Sequence, residues 1–283
     1  MKLKTRYALL SSAIIILIGS LLLLDRKSEF YTGDDIEPNV SSASTHCPVS
    51  SSSQLELSKK QLHKCARHIT VKVMEGKGWG SGILIKREED SYTVLTNAHV
   101  IQSQSHNPQY KIQTPDGEIH LATINPNLNL PHQEDLALLQ FQSSKEDYQI
   151  AILGDSSQLQ PQDSIIASGF PFNPKDNTDE NGFKLTQGKV WRLLRRSLRR
   201  GYQLGYTGKI QKGMSGGPVL NFRGEVVGIN GEHAYPLWDR PYIYRNGEEP
   251  PLALQEKMDH YNWAIPMNTV TQLLPQSLVL SPD

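Results

Sequence analysis

The chain has 283 residues, with 29 basic and 29 acidic side chains, so its formal net charge is zero, and 37% of its residues are hydrophobic. Balanced charge gives no ground for a polyanionic partner such as nucleic acid. Internal repeats, phosphate-cradling glycine motifs and standard metal-ligand spacings are missing from the sequence, so no cofactor and no metal are expected.

At the amino end Lys2, Lys4 and Arg6 precede Tyr7 to Leu24, a stretch with no charged residue. At about 1.5 Å per residue this run approaches the thickness of the bilayer hydrocarbon, and basic residues on its N-terminal side place that side in the cytoplasm. The small residues Ser11-Ser12-Ala13 and Gly19-Ser20 do not follow the apolar core, which ends in Leu24-Asp25. Residues 1–26 are therefore read as an uncleaved membrane anchor in preference to a cleaved signal peptide. The chain beyond it would face the extracytoplasmic side, periplasmic or lumenal, or be secreted if the segment is removed.

Residues 27–65 carry Ser41, Ser42, Ser44 and Ser50 to Ser53 with little to bury, and read as a tether. Cys47 lies in it and Cys65 at its end, a pair suited to a disulfide in an oxidising compartment. His46, Cys47, His63, Cys65 and His68 match no standard zinc spacing.

From residue 66 to residue 283 the pattern is that of one all-β domain. Ile69, Val71 and Val73 alternate with polar or intermediate residues, and short apolar or alternating runs recur at residues 82–86, 92–95, 110–113, 119–124, 136–141 and 164–168. A second set covers 184–191, 202–206, 218–221, 225–229 and 263–265. Many short strands separated by Gly, Pro, Asn and Asp are the signature of sandwiches or barrels. Asn268 is expected to cap a helix over residues 269–274. Arg192, Arg195, Arg196, Arg199 and Arg200 cluster in a segment read as a solvated turn rather than a nucleic-acid site. The long segment 232–261, with four prolines, is a candidate flap beside the substrate.

Three residues carry the chemistry. Ser215 lies in Gly213-Met214-Ser215-Gly216-Gly217-Pro218, where the glycine lets the amides of Gly213 and Ser215 point into one oxyanion-sized hole. A hydroxyl is a poor nucleophile at neutral pH and needs a base. His99, in Thr96-Asn97-Ala98-His99, follows a strand run and supplies one. Asp135 opens the apolar run Leu136 to Leu139, where a buried carboxylate needs a partner, and His99 is that partner. The order His, Asp, Ser is that of the chymotrypsin-type triad.

On these blocks, together with Gly78-Trp79-Gly80-Ser81-Gly82, Leu153-Gly154-Asp155-Ser156-Ser157, Ser168-Gly169-Phe170-Pro171 and Gly224-Glu225-Val226-Val227-Gly228-Ile229-Asn230, the chain resembles bacterial trypsin-like serine proteases. Among these it is similar to the catalytic domain of the high-temperature-requirement (Deg-type) enzymes. The resemblance spans about residues 66–274. It implies an all-β fold of two six-stranded antiparallel β-barrels with a short C-terminal helix, and peptide hydrolysis through an acyl-enzyme; the few residues after that helix lead us to expect no appended PDZ-type module. It also implies His99 as general base, Asp135 as its orienter, Ser215 as nucleophile and the amides of Gly213 and Ser215 as oxyanion hole. Met214 stands where digestive relatives carry the aspartate that pairs with a new N-terminus, so activation by N-terminal insertion is not expected. Lys209, Asn230 and Gly231 fall at positions of the substrate pocket, and a lysine there disfavours basic side chains. Polypeptides are the expected substrates. The alternatives kept open are a latent protease-fold protein that binds or chaperones without turnover, and an esterase using the same triad.

Overall fold

The computed structural model describes residues 56–102, 108–124, 130, 133–144, 147–172, 182–235 and 242–279. The chain divides into two units, Met1–Ser42 and Ala43–Asp283, and all described residues belong to the second. The anchor reading of residues 1–26 and the Cys47 half of the proposed disulfide lie outside the described residues, although Cys65 itself is disulfide-bonded. Among the described residues no helix is long and apolar enough to cross a membrane.

Among the described residues twelve strands form two closed antiparallel barrels. The first comprises β1 (Thr70–Glu75), β2 (Gly78–Glu88), β3 (Ser91–Thr96), β4 (Tyr110–Gln113), β5 (Ile119–Ile124) and β6 (Ala137–Gln142). The second comprises β7 (Ser164–Gly169), β8 (Lys184–Leu193), β9 (Leu204–Tyr206), β10 (Pro218–Asn221), β11 (Val226–Glu232) and β12 (Asn262–Pro266). The order around the first barrel, β1-β2-β3-β6-β5-β4, is repeated around the second as β7-β8-β9-β12-β11-β10. Closure pairs β1 with β4 and β7 with β10, so neither sheet keeps a long open edge.

Period-two alternation explains what fills each barrel. Val71, Val73, Leu84, Val94, Ile112 and Leu139 fill the first, and Ile165, Ala167, Val190, Leu204, Val219 and Val227 the second. The opposite faces do not all meet water. Ile83, Leu95, Leu138, Phe170, Tyr202, Leu220, Ile229, Trp263 and Ile265 belong to one further core cluster that contains residues of both barrels. Polar bonds also cross this seam: Ser81 N donates to the Ser215 carbonyl at 2.8 Å, and the Thr70 and Ser168 hydroxyls meet at 3.0 Å.

Among the described residues four α-helices accompany the barrels: α1 (Lys59–Ile69), α2 (Leu252–Met258), α3 (Met267–Leu273) and α4 (Gln276–Val279). α1 departs from the sequence expectation, because it takes in residues read as tether and Ile69, read as strand. Its cause is local and legible: Ser58 and Gln61 form a reciprocal capping box, and Leu62, Cys65, Ala66 and Ile69 recur at helical spacing and are buried. A domain boundary at residue 65 would cut this helix.

Asn268 does not cap the C-terminal helix. α3 starts two residues earlier than expected, after Pro266, and the Asn268 side-chain oxygen accepts instead from Ser156 N at 2.7 Å and Ser156 Oγ at 2.8 Å. A tertiary partner displaced the local cap. The segment 232–261 is held rather than loose where it is described: Met258 of α2 is buried, Tyr261 stacks on Trp191 with ring centroids 4.2 Å apart, and Tyr244 bridges to Leu198.

Candidate active site

β3 and β6 are neighbours with Thr96 opposite Ala137, so the end of one strand lies beside the start of the other. After β3 the chain turns through Asn97 into a single 3-10 turn, Ala98–Val100, that carries His99. Asp135 sits just before β6. The pairing thus delivers the two side chains to one place. His99 Nδ1 lies 2.6 Å from Asp135 Oδ2, the His99 amide donates to Asp135 Oδ1 at 2.9 Å, and the Asn97 side chain donates to the Asp135 carbonyl at 2.8 Å. An ionised carboxylate only accepts, so Nδ1 carries a ring proton, and in the neutral imidazole Nε2 keeps its lone pair. The Asp135 side chain is fully buried while that of His99 is one-third exposed.

The second barrel contributes two more donors to the same carboxylate. The Tyr202 hydroxyl donates to Asp135 Oδ2, and Arg200 Nη2 donates to Oδ1 at 3.1 Å. Backbone pairing brings them there, since the Asp135 amide donates to the Arg200 carbonyl at 3.0 Å. Burial pushes the Asp135 carboxyl up, but the His99 hydrogen bond and charge, the Tyr202 hydroxyl and the Arg200 guanidinium outweigh it and hold it below the ordinary carboxylate value.

Ser215 lies in the turn before β10. Gly213 has φ +98°, and a Cβ there would stand 2.4 Å from the Phe170 carbonyl oxygen, so a side chain is excluded on both counts. The turn is held from both sides. From the first barrel, Ser81 Oγ donates to the Gly213 carbonyl at 2.8 Å and accepts from the Phe170 amide at 2.9 Å. From β11, Asn230 Nδ2 donates to the Met214 carbonyl at 3.0 Å, and the Gly216 amide donates to the Asn230 carbonyl at 2.8 Å. Met214 is fully buried. The order that an aspartate at position 214 would supply is provided here by Ser81 and Asn230. Among the described residues the amides of Gly213 and Ser215 have no protein acceptor. Ser215 Oγ donates to the Gly231 carbonyl at 3.0 Å.

Of the positions read as a substrate pocket, Asn230 and Gly231 both bond to the turn that carries Ser215. Lys209 is exposed, with its amide donating to Thr186 Oγ1 at 3.1 Å. Asn230 is buried and both ends of its amide are used, Nδ2 on Met214 and Oδ1 accepting from the Tyr206 hydroxyl. Gly231 contributes the carbonyl that holds Ser215 Oγ. Sequence reasoning missed Ser81, Asn97, Arg200 and Tyr202. Ser81 and Asn97 stood inside quoted motifs but without a role, and Arg200 lay inside a cluster read only as a solvated turn. For Tyr202 the chain offered no local signal, its partner being far away in sequence.

A family profile described as "Trypsin-like peptidase domain" matches residues 80–229, just over half of the chain. Serine protease HTRA3 of Homo sapiens is 32% identical over 164 residues, covering 53% of this chain and 32% of that protein. The periplasmic pH-dependent serine endoprotease DegQ of Escherichia coli (strain K12) is 36% identical over 157 residues, covering 54% of this chain and 31% of that protein. The chain thus spans about a third of the length of these relatives. The crystal structure of Deg5 superposes with a TM-score of 0.55 at 22% identity, over 76% of this chain and 94% of that one, which supports the two-barrel fold. By the profile match across both barrels, this chain belongs to the trypsin-like peptidase family.

Proposed function

We propose that this chain is a serine endopeptidase that hydrolyses polypeptides through an acyl-enzyme on Ser215. The observation that carries the proposal is the His99–Asp135 pair, 2.6 Å apart and joined by two hydrogen bonds, with Nε2 unpartnered among the described residues. In the step proposed, His99 Nε2 takes the hydroxyl proton as Ser215 Oγ attacks the scissile carbonyl carbon, and the carbonyl oxygen takes up the negative charge. The amides of Gly213 and Ser215 stabilise that oxyanion. Collapse breaks the C–N bond and His99 gives the proton to the leaving amine; water then enters by the same route in reverse and frees the acid product. Asp135 keeps the proton on Nδ1 and stabilises the imidazolium.

Residues 1–26 anchor the chain in a membrane and place the protease domain outside the cytoplasm. Supporting this are the basic residues before the apolar run, the disulfide state of Cys65 and the word "periplasmic" in the name of the relative DegQ. Lys209, Asn230 and Gly231 lie around the substrate cleft in this proposal, with Gly231 the member nearest the nucleophile.

A second possibility, a latent protein that binds polypeptides without cutting them, is favoured by one observation: Ser215 Oγ donates to the Gly231 carbonyl. Turnover of fluorescein-labelled casein by the full chain, beside Ser215→Ala, separates the two. Ser215-dependent release of peptides supports the endopeptidase; binding of casein by both chains with no release supports the latent protein.

A further inference from the structure

Tyr202 belongs to the second barrel, yet its hydroxyl ends on the carboxylate that orients the first barrel's histidine. The residue is 2% exposed, so its hydroxyl has no recourse to bulk water and must be paired within the protein. The space it occupies exists because of a glycine. A Cβ on Gly231 would lie 2.2 Å from both the Tyr202 hydroxyl oxygen and Cε1, and 2.6 Å from Cζ. Any side chain at 231 would expel the phenol from Asp135. The same Gly231 supplies the carbonyl to which Ser215 Oγ donates. One bare backbone position therefore touches both the nucleophile and the tyrosine that braces the acid.

The carboxylate is fully used as a result. Oδ1 accepts from the His99 amide and Arg200, and Oδ2 accepts from His99 Nδ1 and the Tyr202 hydroxyl. Two donors on each oxygen fix the plane of the group, and with it the plane of the imidazole. The charged neighbours come from three directions. His99 approaches from the turn after β3, Arg200 and Tyr202 from the connection between β8 and β9, and Glu232 of β11 acts on Tyr202. Beside them Glu134 is paired with Arg245. Burial first, then the Asp135 and Glu232 charges, push the phenol well above its ordinary value, so Tyr202 stays protonated and remains a donor.

We infer that Tyr202, assisted by Arg200, is a positioning residue for Asp135, acting across the barrel seam through the gap left at Gly231. This rests on Ser215, His99 and Asp135 being the catalytic triad. Tyr202 touches no reacting atom; it holds the acid so that the ring presents Nε2 toward the serine. It also draws charge away from the carboxylate, which limits how strongly Asp135 holds a protonated imidazole.

The test uses the full chain and a biotinylated fluorophosphonate, which reports serine activation without a known cleavage preference. Saturation kinetics give kinact and Ki for wild type, Tyr202→Phe and Arg200→Gln across the pH range in which the base titrates, with circular dichroism melts of each. Phe keeps the ring and removes only the hydroxyl. The expected result is a kinact lowered about tenfold in Tyr202→Phe with Ki unchanged, the loss of one hydrogen bond to a charged group. The acid limb of labelling should move to higher pH in both variants, because a carboxylate with fewer donors, or without a nearby cation, favours the imidazolium. A merely structural tyrosine would lower the melting temperature and leave the acid limb where it was, and that outcome overturns the inference. Should Tyr202→Phe fail to fold, an unshifted acid limb in Arg200→Gln overturns it as well. Ser215-dependent labelling of wild type with indifferent variants refutes only this inference, whereas a wild-type chain that does not label removes the triad reading and this inference with it.

Discussion

Replacing Asp135 by Asn isolates what the carboxylate does, because shape is kept and one acceptor oxygen becomes a donor. Four donors face the group: the His99 amide and Arg200 at Oδ1, His99 Nδ1 and the Tyr202 hydroxyl at Oδ2. An asparagine offers its single oxygen to one side only. With the oxygen on the Oδ1 side, the amide nitrogen faces His99 Nδ1 and forces the ring proton onto Nε2, and the Tyr202 hydroxyl alone is stranded. With the amide flipped, the His99 amide and the Arg200 guanidinium are both stranded, one of them cationic. Each stranded donor costs about 1–3 kcal/mol, so the first arrangement wins and the wrong tautomer prevails. Ser215 then meets an N–H instead of a lone pair. The loss expected from inverting the tautomer in a serine–histidine pair is about 10⁴-fold in turnover, or ~5.4 kcal/mol of transition-state stabilisation. Casein turnover at near-neutral pH measures it, with a denaturant melt to confirm the fold. A variant that keeps more than about a tenth of wild-type turnover would refute the role given to Asp135, since no tautomer inversion leaves that much.

Two more perturbations follow from the same bonds. Ser81→Ala removes the hydroxyl that ties the Gly213 carbonyl to the Phe170 amide. Two buried backbone groups lose their partner at about 1–3 kcal/mol each, so urea unfolding should show a lower midpoint and kcat should fall with KM little changed; unaltered kinetics would mean the turn is held without Ser81. On acidification, Asp135 is the group to watch: its carboxyl is held low in the folded state. Its contribution to stability is complete above the ordinary carboxylate value of about 3.9 and is lost as pH falls toward the depressed value. Unfolding free energies measured through this acid window should decline more steeply for wild type than for Asp135→Asn, and parallel declines would contradict the assignment.

How far the chain could be read depended on the range of the physics involved. Strand positions were legible from short β-rich runs between turn residues: those at 110–113, 119–124 and 218–221 coincide with β4, β5 and β10, although only β4 alternates in burial, β10 being buried throughout and β5 largely exposed. His99, Asp135 and Ser215 were legible because each lies in a short block whose backbone needs are written locally, and the pairing of β3 with β6 then brings the first two together. α1 carried a complete local signature in Ser58, Gln61 and the spacing of its apolar residues, obscured by the serine-rich stretch before it. Asn268 shows the opposite failure, a local capping signal overridden by Ser156. Tyr202 and Arg200 act across the two barrels, and Gly231 acts through its contact with Tyr202, none of which a local pattern encodes. Lys209 was assigned by counting back from the serine, and Asn230 by its place in the block Gly228-Ile229-Asn230. The lysine is exposed and the asparagine is buried with both ends of its amide bonded, orientations that position in the chain does not encode.

The central claim is that Ser215 is a nucleophile activated by His99. Fluorophosphonate labelling of the full chain, followed by peptide mass spectrometry to locate the adduct, tests it most directly. The account predicts one phosphonylated residue, Ser215, with labelling abolished in Ser215→Ala and strongly slowed in His99→Ala. A folded wild-type chain that takes no label, or takes it at another serine, would contradict it.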